Sequence, residues 1–238
     1  MKIYSQGDQA IVVSIEKKVS KDLTEDLLAL KSYLLERNFP FITEIVPTES
    51  DMMICYDARS MIKHHHIQSP FQYMKDLVYS IRLEIVHDDT PEGITNIPVI
   101  YGGEYGPDLE QLLQYYNIDL DTFINRHTNC TYFVSTMGYS PGFPYLTGMD
   151  ERLFVNHTGK QKSFIPAGAV IIEGKKTGIN TTDTYGEYGD WLVIGYTPET
   201  LFNPEKDEFT KLTLGDNVRF IPCKENEIDL GGFKPCQS

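Results

Sequence analysis

Three stretches of this sequence combine residue types that can do chemistry. Tyr101-Gly102-Gly103-Glu104-Tyr105-Gly106-Pro107-Asp108 follows a strand-like apolar run and opens a helical pattern. Glycines there free backbone N–H groups to converge on an anion, and a helix N-terminus adds positive partial charge, so a phosphate or carboxylate could dock. The same spacing suits a plain strand–helix turn in which Asp108 caps the helix, with Gln111 as its capping-box partner. Met137-Gly138-Tyr139-Ser140-Pro141-Gly142-Phe143-Pro144-Tyr145-Leu146 spends prolines, glycines and aromatics together. It reads as a stiff, shaped loop that either lines a site or plugs the end of a barrel. His127 closes a helical stretch just before the strand that carries Tyr132. It either shuttles a proton near neutral pH or complements the helix dipole.

Other patterns are set aside on physical grounds. Adjacent side chains in His64-His65-His66 diverge, and no carboxylate or cysteine is spaced to complete a metal site, so a solvated loop is expected. Gly168 to Thr177 superficially resembles a phosphate loop. Its spacing is wrong, however, its centre is an apolar β-run, and no Ser or Thr follows Lys175 directly. A hairpin turning near Gly174-Lys175-Lys176 is the better reading. No complete catalytic set is visible in the chain by itself.

The elements that must position these residues fall into two textures. In the first, Ile11, Val12, Val13 and Ile15 mark a strand. Leu23, Leu27, Leu30 and Leu34 recur at helical spacing behind Ser20 as N-cap, with Leu28 and Leu35 widening the stripe. Two short strands (41–46 and 52–57) follow. A helix then begins at Ser69-Pro70 and carries Phe71, Met74, Val78, Ile81 and Ile85. The β-α-β-β-α order predicts a ferredoxin-like α/β domain over residues 1–93, with an extra strand near its start or end. The polar run His87 to Gly93 is the expected boundary. Beyond it come a helix opening at Asp108, a second from Asp119 to about Arg126, and strands at 97–101, 131–136, 169–173, 191–196 and 217–222. This composition predicts an α+β chain whose second domain, 94–223, is a β-barrel, followed by a tail, 224–238.

Composition narrows the partners. With 238 residues, 41% of them hydrophobic, the chain has material for real cores. Its 21 basic and 34 acidic residues give a net charge of −13, and no basic run occurs, which argues against nucleic acid and anionic membrane as partners. The N-terminus lacks a signal-peptide h-region and no apolar run is long enough to span a bilayer, so a cytoplasmic protein with reduced thiols at Cys55, Cys130, Cys223 and Cys236 is expected.

Beyond these readings, the chain resembles the family variously called the 5-oxoprolinase B subunit, KipI-like protein or allophanate hydrolase subunit 1. The resemblance rests on IPVIYGGEYGPDLEQL (97–112), on RHTNCTYFVSTMGYSPGFPYLTGMDERL (126–153), on PAGAVIIEGKKTGI (166–179) and on LGDNVRFIP (214–222). GDQAIVV (7–13) and residues 43–57 extend it to nearly the whole chain. It implies a ferredoxin-like domain followed by a cyclophilin-like barrel. It further implies a component that works with a second, related barrel protein (of the 5-oxoprolinase C-subunit type) and a lactam-utilisation-type subunit. Together these open 5-oxoproline to glutamate with ATP and Mg, phosphorylation of the lactam oxygen making the carbonyl open to water. A relative in sporulating bacteria is similar to an inhibitor of a sensor histidine kinase, which supplies a non-catalytic alternative. Carried over residue by residue, the resemblance puts Tyr101, Gly102, Gly103, Gly106 and Asp108 at a cleft rim. His127 becomes the proton-handling candidate, Asp108 joins it as a candidate catalytic residue, and Tyr132, Pro141, Gly142, Phe143 and Tyr145 shape the cleft wall. Two departures stand out: GMDERLFVNHTGKQ (148–161) lacks the family's downstream arginines, and residues 185–191 replace its SPGGW element.

Overall fold

The computed structural model describes residues 1–81, 93–156, 161–188 and 190–237, with backbone only at Glu187 and Tyr188. The chain divides into two compact units, Met1–Thr90 and Pro91–Ser238.

The first unit runs β1 (Lys2–Ser5), β2 (Ala10–Ser14), α1 (Lys21–Glu36), β3 (Ile42–Pro47), β4 (Asp51–Tyr56), α2 (Ala58–His64) and α3 (Pro70–Ser80). Its sheet is antiparallel in the order β1-β2-β4-β3. The crossover from β2 through α1 to β3 leaves room for β4 between them, which is the split arrangement of a ferredoxin-like unit, and β1 supplies the extra strand. Ser20 caps α1 as expected, its hydroxyl accepting from Leu23 N–H at 3.2 Å. Leu23, Leu27, Leu30 and Leu34 are buried against the sheet residues Ile11, Val13, Met52 and Ile54. Leu35 instead faces solvent, so the apolar stripe is narrower than its leucines suggest. Pro70 opens α3 and buries Met74 and Val78. Ile85 and most of the expected 87–93 boundary lie outside the described residues. The helix α2 was not legible: Asp57 caps it by accepting from Ser60 N–H at 2.8 Å. His64 therefore ends a helix and is not in a loop, although His64, His65 and His66 are all exposed.

The second unit runs β5 (Ile94–Tyr101), α4 (Leu109–Tyr116), α5 (Leu120–Thr128), β6 (Tyr132–Met137), β7 (Pro144–Thr147), a 3-10 turn (Glu151–Leu153), β8 (Lys162–Ile165), β9 (Ala169–Glu173), β10 (Lys176–Ile179), β11 (Thr184–Tyr188), β12 (Leu192–Tyr196), β13 (Asn217–Pro222) and a second 3-10 turn (Glu225–Glu227). Seven strands close a barrel in the order β10-β7-β6-β13-β5-β12-β9, and β8 pairs with β11 in a separate ribbon. Every barrel pair is antiparallel except β5 with β13. The expected hairpin is β9–β10, joined by Gly174-Lys175. The PGFPYL stretch is only partly a loop, because Pro144 onward forms β7.

Strand alternation sorts the wall's residues onto two faces. Val170 and Ile172 of β9, Leu192 and Ile194 of β12, Leu146 of β7 and Val218 and Phe220 of β13 fill the interior, joined by Leu109, Leu112 and Phe123 from α4 and α5. Ala169, Ile171 and Val193 point the other way and pack with Phe143, Ile165 and Trp191 in a second, outer cluster. Strands β9 and β12 are thus buried on both faces, which is why they read as continuous apolar runs.

Candidate functional site

The two faces separate the residues expected to share one cleft. His127 lies inside the barrel, fully buried, its ring 4.7 Å from that of Phe220 in a stacked arrangement. Both ring nitrogens are engaged: Nδ1 is 2.8 Å from the Tyr101 hydroxyl and Nε2 is 3.4 Å from the Thr177 hydroxyl. Thr177 spends its single O–H on Ile171 O at 2.7 Å. It can therefore only accept from histidine, which puts the proton on Nε2 and leaves Nδ1 accepting from Tyr101. Tyr132 donates to His127 O at 2.8 Å. Burial pushes the imidazole pKa down to about 3, so the ring is neutral at any ordinary pH. A proton carrier must reach its substrate. Sealed among Tyr101, Tyr132, Phe220 and Thr177, His127 presents no open face in this structure, where its bonds tie α5 to the barrel wall.

The glycine-rich loop also behaves differently from an anion cradle. The N–H groups of Gly102 and Asp108 donate to Ile194 O and Val193 O, while those of Tyr105 and Gly106 donate to Gly102 O. Two of these donors lay the loop along β12 and two close its own turn. Gly103 adopts φ +58 at the turn. Gly106 is required by contact: a Cβ there would sit 2.1 Å from Ile194 O, a backbone atom that cannot step aside. Gly106→Ala is expected to destabilise the unit by about 3 kcal/mol, read as a lowered urea midpoint with unchanged m-value.

Asp108 does not cap α4, since its side chain makes no hydrogen bond to the helix's first turn. Its carboxylate instead turns onto the outer face of the wall. One oxygen accepts from Val193 N–H at 2.7 Å and from Lys162 Nζ at 2.6 Å, and both side chains are almost wholly buried (1% and 4% exposed). Lys162 also donates to Trp191 O at 3.3 Å. This ion pair joins the loop after β5 to β8 and β12, and its lysine was not among the expected site residues. No motif marks it: the partners are far apart in sequence, and a lone lysine opening a short strand looks like a surface charge.

Beside the pair stands the aromatic wall. Phe143 is fully buried and stacks on Trp191 at 5.3 Å, with Tyr145 4.8 Å from Phe143 on its other side. The Lys176 ammonium lies 5.4 Å over the Tyr145 ring. Pro141 holds the loop through its carbonyl, which accepts from Thr181 at 2.8 Å, and Gly142 abuts Phe202. At the tip Tyr139 takes φ +67, a conformation that costs an aromatic residue about 1–3 kcal/mol. Its ring stays half in solvent, edge-on to Trp191 at 4.6 Å. Trp191, which ends the 185–191 stretch, completes this wall. The structure therefore brings Asp108, Phe143 and Tyr145 together with Lys162, Trp191 and Tyr139, and keeps His127, Tyr101 and Tyr132 apart from them.

The described residues do not fit ATP with Mg. In the glycine-rich loop the N–H groups of Gly102, Tyr105, Gly106 and Asp108 are spent on backbone carbonyls, and Gly168 to Thr177 is a hairpin in the barrel wall. Among the described residues, no three His, Cys, Asp or Glu side chains are grouped to hold a metal ion. Among those residues, too, no helix is long and apolar enough to cross a membrane.

Comparison with known proteins agrees with this architecture. Residues 1–212 match the family described as carboxyltransferase domain, subdomain C and D. The chain is 34% identical to the 5-oxoprolinase B subunit of Bacillus subtilis over 94% of both chains. It is 30% identical to the protein of the same name from Escherichia coli O157:H7, over 93% of this chain and 96% of that one. Among solved structures, TTHA0988 superposes with a TM-score of 0.73 at 24% identity, over 91% of this chain and 40% of that one. The urea carboxylase of Kluyveromyces lactis gives 0.69 at 16% identity, over 94% and 22% respectively, and shares the fold. A two-unit chain with this sheet order and this closed barrel, matched over 94% of its length by such a relative, belongs to the carboxyltransferase-domain family in its 5-oxoprolinase B-subunit branch.

Proposed function

We propose that this chain is one subunit of an ATP-dependent amide hydrolase that opens a small cyclic amide, 5-oxoproline to glutamate, at a site completed by a partner subunit. The observation that carries the reading is the match over 94% of both chains to a protein named as the B subunit of 5-oxoprolinase. The geometry supports it in one respect. The outer wall offers a rigid aromatic surface, with strained Tyr139 at its tip, beside a buried ion pair. Such a surface is half of a site.

In this reading the partners are a second barrel protein of the 5-oxoprolinase C-subunit type and a lactam-utilisation-type subunit, and ATP with Mg is held by them. This chain's part is to shape one wall. Asp108 fixes the glycine-rich loop, and Phe143, Tyr145 and Trp191 hold Tyr139 in place. His127 serves the barrel interior. The test is reconstitution with an ATP-coupled assay on 5-oxoproline. The chain alone is expected to be inert and the three-component mixture active. No ATP turnover with every partner present would overturn the proposal, and suppression of a sensor histidine kinase's autophosphorylation in its place would favour the inhibitor reading.

A further inference from the structure

The segment after β13 is not a loose tail. Its Phe233 ring wedges between Tyr105 and Tyr196, at 4.6 and 4.7 Å between centroids. Lys234 pairs with Asp183 at 2.6 Å. Cys236 packs half-buried against the Phe143–Trp191 cluster, and its thiol lies within electrostatic reach of Lys162 and Asp108. Gln237 then bridges to β8: its carbonyl accepts from Ser163 N–H at 2.8 Å and its own N–H donates to Phe164 O at 3.1 Å. Between the barrel end and this segment lies a cleft of about 410 Å³, walled on one side by Asn180, Thr197 and Glu199 and on the other by Asp229, Leu230 and Lys234.

Before the glycines the segment is well held: Ile228 and Leu230 pack on the Ile100, Tyr105 and Tyr196 cluster, and the Tyr196 hydroxyl donates to Leu230 O. After them the attachments are an exposed ion pair, the Phe233 wedge, the half-buried Cys236 and a short backbone bridge, with no regular structure among the described residues. The wall strands beneath are buried on both faces. Opening free energies follow such differences, so this end of the segment parts from the barrel well before the barrel itself opens. A hinge is present: Gly231 takes φ +56, and neither it nor Gly232 has any atom within 4 Å of where a Cβ would lie. The segment also lies beyond residue 212, where the match to the shared family ends.

We propose that Phe233–Gln237 is a detachable strap that swings about Gly231-Gly232, opening the Lys234 side of the cleft and uncovering the Asp108–Lys162 pair and its aromatic wall. Its consequence for assembly rests on the reading above: the partner that completes the site docks on a wall the strap covers at rest. The strap itself is read on the isolated chain. Alkylation by iodoacetamide, resolved site by site by mass spectrometry, reports the opening through Cys236, with Cys55 and Cys130 as references outside the strap.

In Phe233→Ala and in Lys234→Gln, Cys236 is expected to react about tenfold faster than in the unaltered chain while Cys55 and Cys130 keep their rates. The Gln237 and Ser163 amides should lose hydrogen-exchange protection while β12 amides keep theirs. No gain at Cys236 in either variant, or a gain shared equally by Cys130, overturns the strap. Neither outcome touches the proposed activity, because no partner or substrate is present. Conversely, a complex without turnover leaves the labelling result standing.

Discussion

Asp108→Ala is expected to destabilise the second unit by about 3–5 kcal/mol, the usual cost of leaving one half of a buried ion pair uncompensated. Two losses add. The Lys162 ammonium, 4% exposed, loses the carboxylate that balances its charge, and Val193 N–H loses its side-chain acceptor. In a unit of this size that free energy lowers the melting temperature by on the order of 10 °C. The double variant Asp108→Leu with Lys162→Met removes both charges and fills the space with apolar atoms. It should recover most of the loss, because desolvating two ions offsets much of their attraction. Thermal unfolding of the single and double variants measures this coupling. A single variant as stable as the parent would show that the pair is not closed off from water. The double variant also separates stability from function: if the pair only braces the loop, the restored fold should restore turnover of the reconstituted complex.

His127 makes a second large effect, expressed through pH. Its folded pKa, about 3, lies below the value near 6.5 of the unfolded chain. The unfolded state therefore binds the extra proton first. The histidine's contribution is complete above pH 6.5 and is lost as pH falls from there toward 3. Between pH 6.5 and 4.5 the loss amounts to about 2–3 kcal/mol, since each pH unit is worth somewhat over ~1 kcal/mol. Carboxylates with lowered pKa, such as Asp119 and Asp150, bend the curve the same way at more acidic pH. The difference between the parent and His127→Gln isolates the imidazole. Urea unfolding at pH 7 and pH 4.5 should show the parent losing about 2–3 kcal/mol more than the variant. Parallel losses would mean that the ring is protonated in the fold and in contact with water. Turnover of the His127→Gln complex is expected to survive wherever the barrel stays folded.

Local signals were legible and pairwise ones were not. The cap at Ser20, the proline opening α3 and the β9–β10 turn each rest on a few neighbouring residues, and each is found where the spacing places it. The closed barrel followed from many short, regularly punctuated strands. The site was harder because its geometry depends on which side of a wall a residue faces. In AVIIE and LVIGY both faces are apolar, so alternation carries no mark of inside or outside. That ambiguity is what allowed His127 and Phe143 to look like neighbours. Asp108 presents the same difficulty in another form. A carboxylate just before a helix has two good destinations, the helix's own N–H groups or a distant cation. Only the register of β12 and the position of β8 decide for Lys162. The terminal segment looked like a tail because its attachments are single residues, Phe233, Lys234 and Gln237, without periodicity.

The parallel pairing of β5 with β13 has a bearing on how the molecule is made. All six residues from Asn217 to Pro222 register against Ile94 to Val99, so the first barrel strand to emerge from the ribosome finds its mate only after all the other barrel strands have been translated. Until then β5 presents an unsatisfied edge, and the cylinder is an open ribbon with Ile97 and Val99 uncovered. Sealing is therefore a late, long-range event, slow by the general dependence of folding rate on contact separation and prone to self-association while it waits. Nascent chains interrupted before Asn217 would be clients for holdase chaperones, whereas the amino-terminal unit, complete by then, would already have condensed.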